Sequence, residues 1–140
     1  MQMEEELKVR LNAEIVRARY AHDRYNAEST FALVYHEKVI DLDILGTYVR
    51  VSDRLIKVSE NLHFVIYNFT SQDDAYKASK NLIENLDKHF HSRTSCIAID
   101  APPKTDTVHM VMSKLSQILK ETKKNSVSRI EYSDILDAMF

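Results

Sequence analysis

Arg50 and Asp53 are the two residues of this sequence whose types and spacing are best suited to bind a polar ligand. An arginine guanidinium is a planar fork that can make two parallel hydrogen bonds, and a carboxylate accepts hydrogen bonds from N–H groups. The alternative is a solvated arginine that follows a helix, with an aspartate that caps a turn. Taken alone, these two residues leave both interpretations open.

Histidine, cysteine and serine are the other residue types that could carry chemistry. No two histidines have HxxxH spacing on one predicted helix, so scattered structural histidines are favoured over a zinc site. Cys96 lies in a predicted strand, where a small buried hydrophobe is favoured over a nucleophile. No nucleophile-elbow sequence is present to indicate a hydrolase, and we predict no metal and no cofactor. The histidines are His22, His36, His63, His89, His91 and His109.

Composition limits the class of protein. A chain of 140 residues, 44% hydrophobic and 29% charged, is typical of one globular domain. A net charge of -2 predicts no nucleic-acid partner, and no apolar run approaches the ~20 residues that span a bilayer. The acidic amino terminus and the single cysteine favour the cytoplasm. Because Gly46 is the only glycine, glycine-rich phosphate-binding loops are excluded.

Hydrophobic periodicity and turn residues predict the elements that would position these side chains. Ser71 is predicted to cap the third helix. The strand LHFVIYNF alternates imperfectly, which predicts that both of its faces are covered. Helices are predicted over residues 4–26, 39–49, 71–89 and 106–124, strands over 30–36, 53–58, 62–68, 94–100 and near Arg129, and a turn over 133–139.

The predicted order, α-β-α-β-β-α-β-α-β, contains a β-α-β-β-α-β unit. This unit predicts an α+β fold of the ferredoxin-like type, with a mainly antiparallel sheet and helices on one face. An N-terminal helix, 1–28, is predicted to precede a domain over 29–140. Leu11, Ile15 and Ala18 are expected to pack on the chain's own sheet, because the apolar heptad is short for a coiled coil; a homodimer is the alternative.

The stretch RVSDRLIKVSENLHFVIYNF is predicted to form two strands around a tight turn that contains no glycine. It resembles the hairpin of the GGDEF family, the diguanylate cyclase domains, in which an Arg-x-x-Asp motif stands five residues before the GGDEF signature. Arg50 and Asp53 match this motif at the same spacing. The signature positions are occupied by Ser59, Glu60, Asn61, Leu62 and His63.

Three later segments are also similar to the family. SQDDAYKASKNL resembles the helix after the hairpin, and SCIAIDA resembles the strand that follows it. ILKETKKNSVSRI is similar to the family's terminal AMYxAKxxGRNRI, which places Lys123 at a phosphate-contacting lysine. The resemblance covers about residues 29–132 and implies a nucleotidyl-cyclase-like fold.

The signature departs from the family at the positions that carry its chemistry. Ser59 and Glu60 have side chains where the family uses glycines to let GTP approach the backbone. Asn61 is neutral where the family has a metal-binding carboxylate, and Leu62 replaces an acidic residue. Glu37 alone lies near the metal-binding aspartate that ends the family's first strand, and one carboxylate is too few for two divalent ions. The resemblance therefore implies a degenerate domain without cyclase activity.

In the family, the arginine and the aspartate of the Arg-x-x-Asp motif bind cyclic di-GMP. The resemblance thus implies that Arg50 contacts a guanine edge and a phosphate, and that Asp53 contacts the base. We expect a non-catalytic signalling module, regulatory or protein-binding, that retains this site. The alternative is a structural or protein-interaction domain that binds no nucleotide, and an atypical cyclase is disfavoured. The sequence does not identify a protein partner.

Overall fold

The computed structural model describes residues 5–25, 28–102, 105–124 and 129–132. Within these ranges the helices and strands follow the predicted order, and the predicted turn at 133–139 lies outside them. The helices are α1 (Glu5–Tyr25), α2 (Leu42–Tyr48), α3 (Gln72–Phe90) and α4 (Val108–Thr122). The strands are β1 (Ser29–Tyr35), β2 (Arg54–Ser59), β3 (Leu62–Asn68), β4 (Cys96–Asp100) and β5 (Arg129–Tyr132).

Side-chain caps set where three of the helices begin. Ser71 accepts a hydrogen bond from the backbone N–H of Asp74, which confirms it as the N-cap of α3. Asp41 and Thr107 cap α2 and α4 in the same way. An N-cap residue has extended backbone angles and lies just outside its helix. α2 and α4 therefore begin later than hydrophobic periodicity alone predicts.

The five strands form one sheet in the order β2-β3-β1-β4-β5. β1 is antiparallel to both β3 and β4, and β2 is antiparallel to β3, as the ferredoxin-like prediction requires. β5 is parallel to β4, which makes the sheet mixed. Tyr35 at the end of β1 lies opposite Leu62 at the start of β3. The segment after β1 therefore runs beside the β2–β3 turn.

Helices cover both faces of the sheet, so the prediction of helices on one face was wrong. Phe31 and Phe64 face a core completed by α1 and α4. Val34 and Val65 face the opposite core, which α2 and α3 complete. The reason is that β1 and β3 carry apolar side chains at successive positions, and a strand buried on both faces needs cover on each. The prediction that β3 is covered on both faces is confirmed.

α1 belongs to the first of these cores. Leu11, Ile15 and Ala18 are buried there, which confirms that this helix packs on its own sheet. Cys96 is buried in the same core, as predicted for a small hydrophobe. Within the described ranges, neither α1 nor any other helix combines the length and apolar character needed to cross a membrane.

Candidate functional site

Arg50 and Asp53 form a bidentate ion pair in the loop between α2 and β2. The distances are 3.1 Å from Arg50 Nε to Asp53 Oδ2 and 2.8 Å from Arg50 Nη2 to Asp53 Oδ1. The backbone N–H of Asp53 also donates to the carbonyl of Arg50 at 3.0 Å. These contacts close a tight turn, and the paired carboxylate raises the pKa of the Arg50 guanidinium.

The same guanidinium fastens this loop to the end of β3. Arg50 Nη2 donates to the backbone carbonyl of Asn68 at 3.0 Å and to the hydroxyl of Thr70. The side-chain amide of Asn68 donates to the carbonyl of Ser52 at 2.8 Å. The loop is therefore anchored through both its backbone and its side chains.

Only one member of the ion pair is accessible to solvent. The Asp53 side chain is 1% exposed, whereas the Arg50 side chain is 53% exposed. A ligand can reach the outer edge of the guanidinium directly, but it reaches the carboxylate only if the pair opens. The aspartate thus holds a turn, and the ligand-binding role of the pair stays a prediction.

The turn that replaces the family signature is fastened to the segment after β1. Asn61 Nδ2 donates to two backbone carbonyls, those of His36 and Glu37, each at 2.9 Å. The backbone carbonyl of Asn61 accepts from the N–H of His36 at 3.2 Å, and that of Glu60 accepts from Ile40 at 3.0 Å. We call this set of four hydrogen bonds the turn clasp. Sequence reasoning found the turn but missed the clasp, because its partners are backbone atoms 20 or more residues away.

The other signature side chains do not converge on a common point. Ser59 and Glu60 are exposed, and the Glu60 carboxylate pairs with Lys57 at 3.0 Å. Leu62 packs against the first core, and His63 is buried. The strand pairing shifts between Lys57 and Ser59, which marks an irregularity in β2 just before the turn.

Glu37 and Lys123, the two other residues that the GGDEF resemblance identifies, also lie at this end of the sheet. Glu37 is exposed and follows β1 by two positions. The Lys123 ammonium, at the C-cap of α4, lies 3.8 Å from the centroid of the Tyr35 ring at the end of β1. This cation–π contact occupies the lysine, and its phosphate-contacting role stays a prediction.

Two buried histidines flank the turn clasp, and burial lowers the pKa of each. His36 Nδ1 accepts from the backbone N–H of Lys38 at 2.9 Å, and Nε2 lies 3.0 Å from the Ser92 hydroxyl. His63 makes no hydrogen bond through either ring nitrogen, and desolvation lowers its pKa to about 4. Nearby Lys57 lowers this pKa further, against a smaller opposing effect of Glu60. Both imidazoles are therefore neutral at pH 7.

Replacing His63 with leucine is expected to stabilise the domain by about 1–2 kcal/mol at pH 7.5, because two unpaired buried nitrogens are removed. The pKa of His63 in the folded protein lies below the ordinary 6.5. The domain is therefore most stable above pH 6.5, where this imidazole is neutral in both the folded and the unfolded state. It loses stability as the pH falls towards 4, because protonation of His63 favours the unfolded state. That loss amounts to at most about 3 kcal/mol. Urea unfolding at pH 7.5, 6 and 5 should show the variant's advantage widening as the pH falls. His109→Leu, at an exposed histidine of α4, is the control; an equal pH profile for both variants would contradict the assignment.

The structure also contains features at the far end of the sheet that sequence reasoning missed. Phe69 is exposed and has a positive φ of 56°, a conformation that no sequence signal marked. A cleft of about 310 Å³ opens between α1, the start of β1 and the start of α3. Ser71 and Thr30 line it, about a strand length away from the turn clasp. The cleft and the signature turn are therefore separate sites.

Comparison with known proteins finds likeness in structure and none in sequence. Neither family models nor curated proteins give a match to this sequence. The GGDEF domain of TpbB (YfiN) from Pseudomonas aeruginosa is 12% identical, with a TM-score of 0.72 over 99% of this chain and 98% of that one. The GGDEF domain of DgcB from Caulobacter crescentus, solved with c-di-GMP, is 12% identical, with a TM-score of 0.63 over 87% of each chain.

A third similar structure is a diguanylate cyclase solved with a protein activator. SiaD from Pseudomonas aeruginosa, in complex with SiaC, is 8% identical, with a TM-score of 0.71 over 89% of this chain. The chain spans 57% of the length of SiaD. At such low identity these likenesses establish the architecture alone. The chain has the fold of the GGDEF domains.

Proposed function

We propose that this domain is a regulatory module without cyclase activity. The observation that carries the proposal is the turn clasp, in which the Asn61 amide donates to the carbonyls of His36 and Glu37. By the family resemblance, this is where a cyclase has a metal-binding carboxylate. An amide N–H group placed between two carbonyls fills the position that a cation would take, and its hydrogens repel a cation.

The charges around the clasp support the same proposal. Glu60 is paired with Lys57, so its charge is partly neutralised, and Glu37 lies exposed beside the clasp. In the described part of the chain, no three histidine, cysteine, aspartate or glutamate side chains come together in a way that could hold a metal ion. Phosphoryl transfer from GTP relies on divalent cations held by several carboxylate oxygens.

The test is an assay with GTP and either Mg²⁺ or Mn²⁺, in which pyrophosphate and cyclic di-GMP are both measured. We expect neither product above a protein-free blank, while a GGDEF domain of demonstrated activity assayed in parallel forms both. Formation of cyclic di-GMP that is lost in Asn61→Ala would overturn the proposal.

The second candidate function is binding of cyclic di-GMP at Arg50. The guanidinium is half exposed, and the Asp53 pair already holds it in one orientation. A ligand that binds such a preorganised fork loses less side-chain entropy than one that must order a free arginine. DgcB, of the same fold, was solved with this nucleotide. In this proposal Arg50 contacts guanine and phosphate, and Asp53 positions the guanidinium. When the ion pair opens, the Asp53 carboxylate accepts a hydrogen bond from the base.

Calorimetric titration of cyclic di-GMP is expected to show saturable binding to the wild type and at least a tenfold loss in Arg50→Ala. The reason is that a bidentate charge-assisted contact is worth about 1.5–3 kcal/mol. Arg93→Ala, at an exposed arginine after α3, is the matched control, and GTP is the control ligand. Circular dichroism verifies that each variant is folded. If titration into the wild type gives no heat, Arg50 is not a cyclic di-GMP site. The alternative, a domain that binds only protein partners, is then favoured.

A further inference from the structure

A pocket of about 190 Å³ opens between α1 and the end of β3, and the proposed function does not use it. Ala18 and Ala21 line it from the helix, and Phe69 lines it from the position after β3. Alanines three residues apart lie on one face of a helix, and their short side chains leave this space open. A cavity of about 150 Å³ holds a benzene-sized ring, whereas sites for drug-sized ligands begin at about 300 Å³. The pocket therefore has room for one aromatic ring.

Phe69 adopts a costly conformation that the packing of the domain does not explain. Its φ of 56° lies in the left-handed region, and the residue remains 60% exposed. A side chain with a Cβ enters this region at a cost, and an exposed ring recovers little of that cost by burial. The other such residue in the described ranges is His91, which caps the end of α3, where positive φ is common. Strained residues without such a structural role are concentrated at ligand-binding sites.

The residues on both sides of Phe69 are held by hydrogen bonds. The side-chain amide of Asn68 donates to the carbonyl of Ser52 at 2.8 Å, and the backbone N–H of Thr70 donates to the carbonyl of Glu28 at 2.9 Å. The Thr70 hydroxyl also donates to the carbonyl of Asn68 at 2.8 Å. The backbone of Phe69 is thus fixed between two anchored residues, so little backbone freedom is lost when a ligand binds against its ring.

Charged side chains beside the ring give the pocket an excess of positive charge. Glu14 is 8% exposed and accepts hydrogen bonds from Arg17 of the same helix at 2.9 Å and from Arg54 of β2 at 3.1 Å. All three residues line the pocket. One negative charge therefore stands against two positive charges, which leaves one positive charge in excess.

Both arginines keep N–H groups that these ion pairs do not use. Arg54 donates through Nε and Nη2, and Arg17 donates through Nη1. Within the part of the chain that the structure describes, Arg54 Nη1 and the Nε and Nη2 atoms of Arg17 donate to no other group. Their side chains are 54% and 66% exposed. Since an arginine carries five N–H donors, an anion can accept from the unused ones while Glu14 stays paired.

We propose that this pocket binds a small aromatic acid, in which one ring carries a single carboxylate or phosphate group. The ring packs on the two alanines and stacks against Phe69, and the anionic group accepts from Arg17 and Arg54. Aromatic rings attract one another in offset and edge-to-face arrangements, and the planar arginine fork matches carboxylates and phosphates. Arg50 does not line the pocket, so the proposal goes beyond the proposed function and is independent of cyclic di-GMP binding.

The experiment titrates the full chain, labelled with ¹⁵N, with benzoate, phenyl phosphate and benzamide, and follows the amide chemical shifts by NMR. Benzamide has the ring of benzoate without its charge. We expect at least one of the two anions to bind saturably and at least tenfold more tightly than benzamide, because the neutral amide makes no charge-assisted hydrogen bond to arginine. The shifts should be largest around Ala18, Ala21 and Phe69.

Substitutions separate the contact with the ring from the contact with the charge. Ala21→Leu fills the pocket and should weaken anion binding at least tenfold, whereas Ala13→Leu, at an exposed alanine of the same helix, should leave it unchanged. Glycine suits the positive φ, so Phe69→Gly should remain folded while it binds the anion severalfold more weakly. Arg17→Gln should weaken anion binding severalfold and leave benzamide binding unchanged.

The proposal is wrong if neither anion binds saturably, or if both bind no more tightly than benzamide. It is also wrong if Ala21→Leu and Ala13→Leu have the same effect. Tyr20 is a similarly exposed aromatic residue outside the pocket, and a loss in Tyr20→Ala equal to that in Phe69→Gly would contradict the stacking contact. A dimer that Ala21→Leu dissociates in sedimentation would make a second copy the occupant and overturn the proposal. Circular dichroism of each variant separates lost binding from lost structure.

Discussion

Replacing Asp53 with alanine is expected to lower the free energy of unfolding by about 3 kcal/mol. The carboxylate is 1% exposed and accepts from Nε and Nη2 of Arg50 as well as from its backbone N–H. Its removal leaves the loop between α2 and β2 without its central acceptor, and loss of a charged hydrogen-bond partner in a buried position costs this order of free energy. Urea denaturation followed by circular dichroism measures the change.

A double-mutant cycle assigns this effect to the ion pair. Arg50→Ala leaves the buried Asp53 carboxylate unpaired and should cost a similar amount, while the double variant should lose less than the sum of the two. The matched control is the Lys57–Glu60 pair, which has the same three-residue spacing and is exposed on both sides. Its removal should cost at most about 0.5 kcal/mol. Additive losses at Arg50 and Asp53 would contradict a coupled pair.

Asn61→Asp is expected to destabilise the domain by about 2–3 kcal/mol although it changes the shape of the side chain very little. The amide of Asn61 donates to two carbonyl oxygens at 2.9 Å, and an ionised carboxylate has no hydrogen to donate. Three oxygens would then face one another without a proton between them. Because unmade hydrogen bonds cost more than the average bond contributes, the loss should exceed that of Asn61→Ala.

Thermal melts with and without 5–10 mM Ca²⁺ provide the sharper test of this substitution. The new carboxylate and the carbonyls of His36 and Glu37 are all oxygen ligands of the kind that hard cations prefer. Calcium should therefore recover part of the loss in Asn61→Asp and none of the loss in Asn61→Ala. Asn81→Asp, at an exposed position of α3, controls for the added charge. If Asn61→Asp melts at the same temperature as the wild type in the absence of Ca²⁺, the turn clasp does not contribute to the stability of the domain.

Local sequence patterns predicted the elements because their causes are local. Apolar spacing, the Ser71 cap and the imperfect alternation of LHFVIYNF are properties of neighbouring residues, and the observed order matches the predicted one. The number of helix-covered faces was not predicted correctly. That feature depends on which side of the sheet each connection crosses, and a ferredoxin-like unit alone does not place α1 on the far face.

The candidate site was predictable in its positions and not in its contacts. The spacing of Arg50 and Asp53 identified the pair, and the structure brings them together. Nothing in their spacing indicated that the carboxylate would be buried, or that Arg50 would also donate to Asn68 and Thr70 at the end of β3 and just after it. Likewise Asn61 reads in the sequence as a lost carboxylate, whereas in the fold it is a donor. Any residue has a backbone carbonyl, so residue types do not indicate which carbonyls a side chain will bind.

The parallel pairing of β5 with β4 has a consequence for how the chain folds. All five residues of β4, Cys96–Asp100, are buried, and in the described part of the chain Arg129–Tyr132 pairs with one edge of this strand. A parallel partner must be reached by a crossover, and here the connection that crosses the sheet contains α4. Without β5, β4 would present an unpaired apolar strand edge of the kind that pairs with other chains. The four residues of β5 therefore protect this chain from edge-to-edge association, and substitutions that unpair them should promote aggregation.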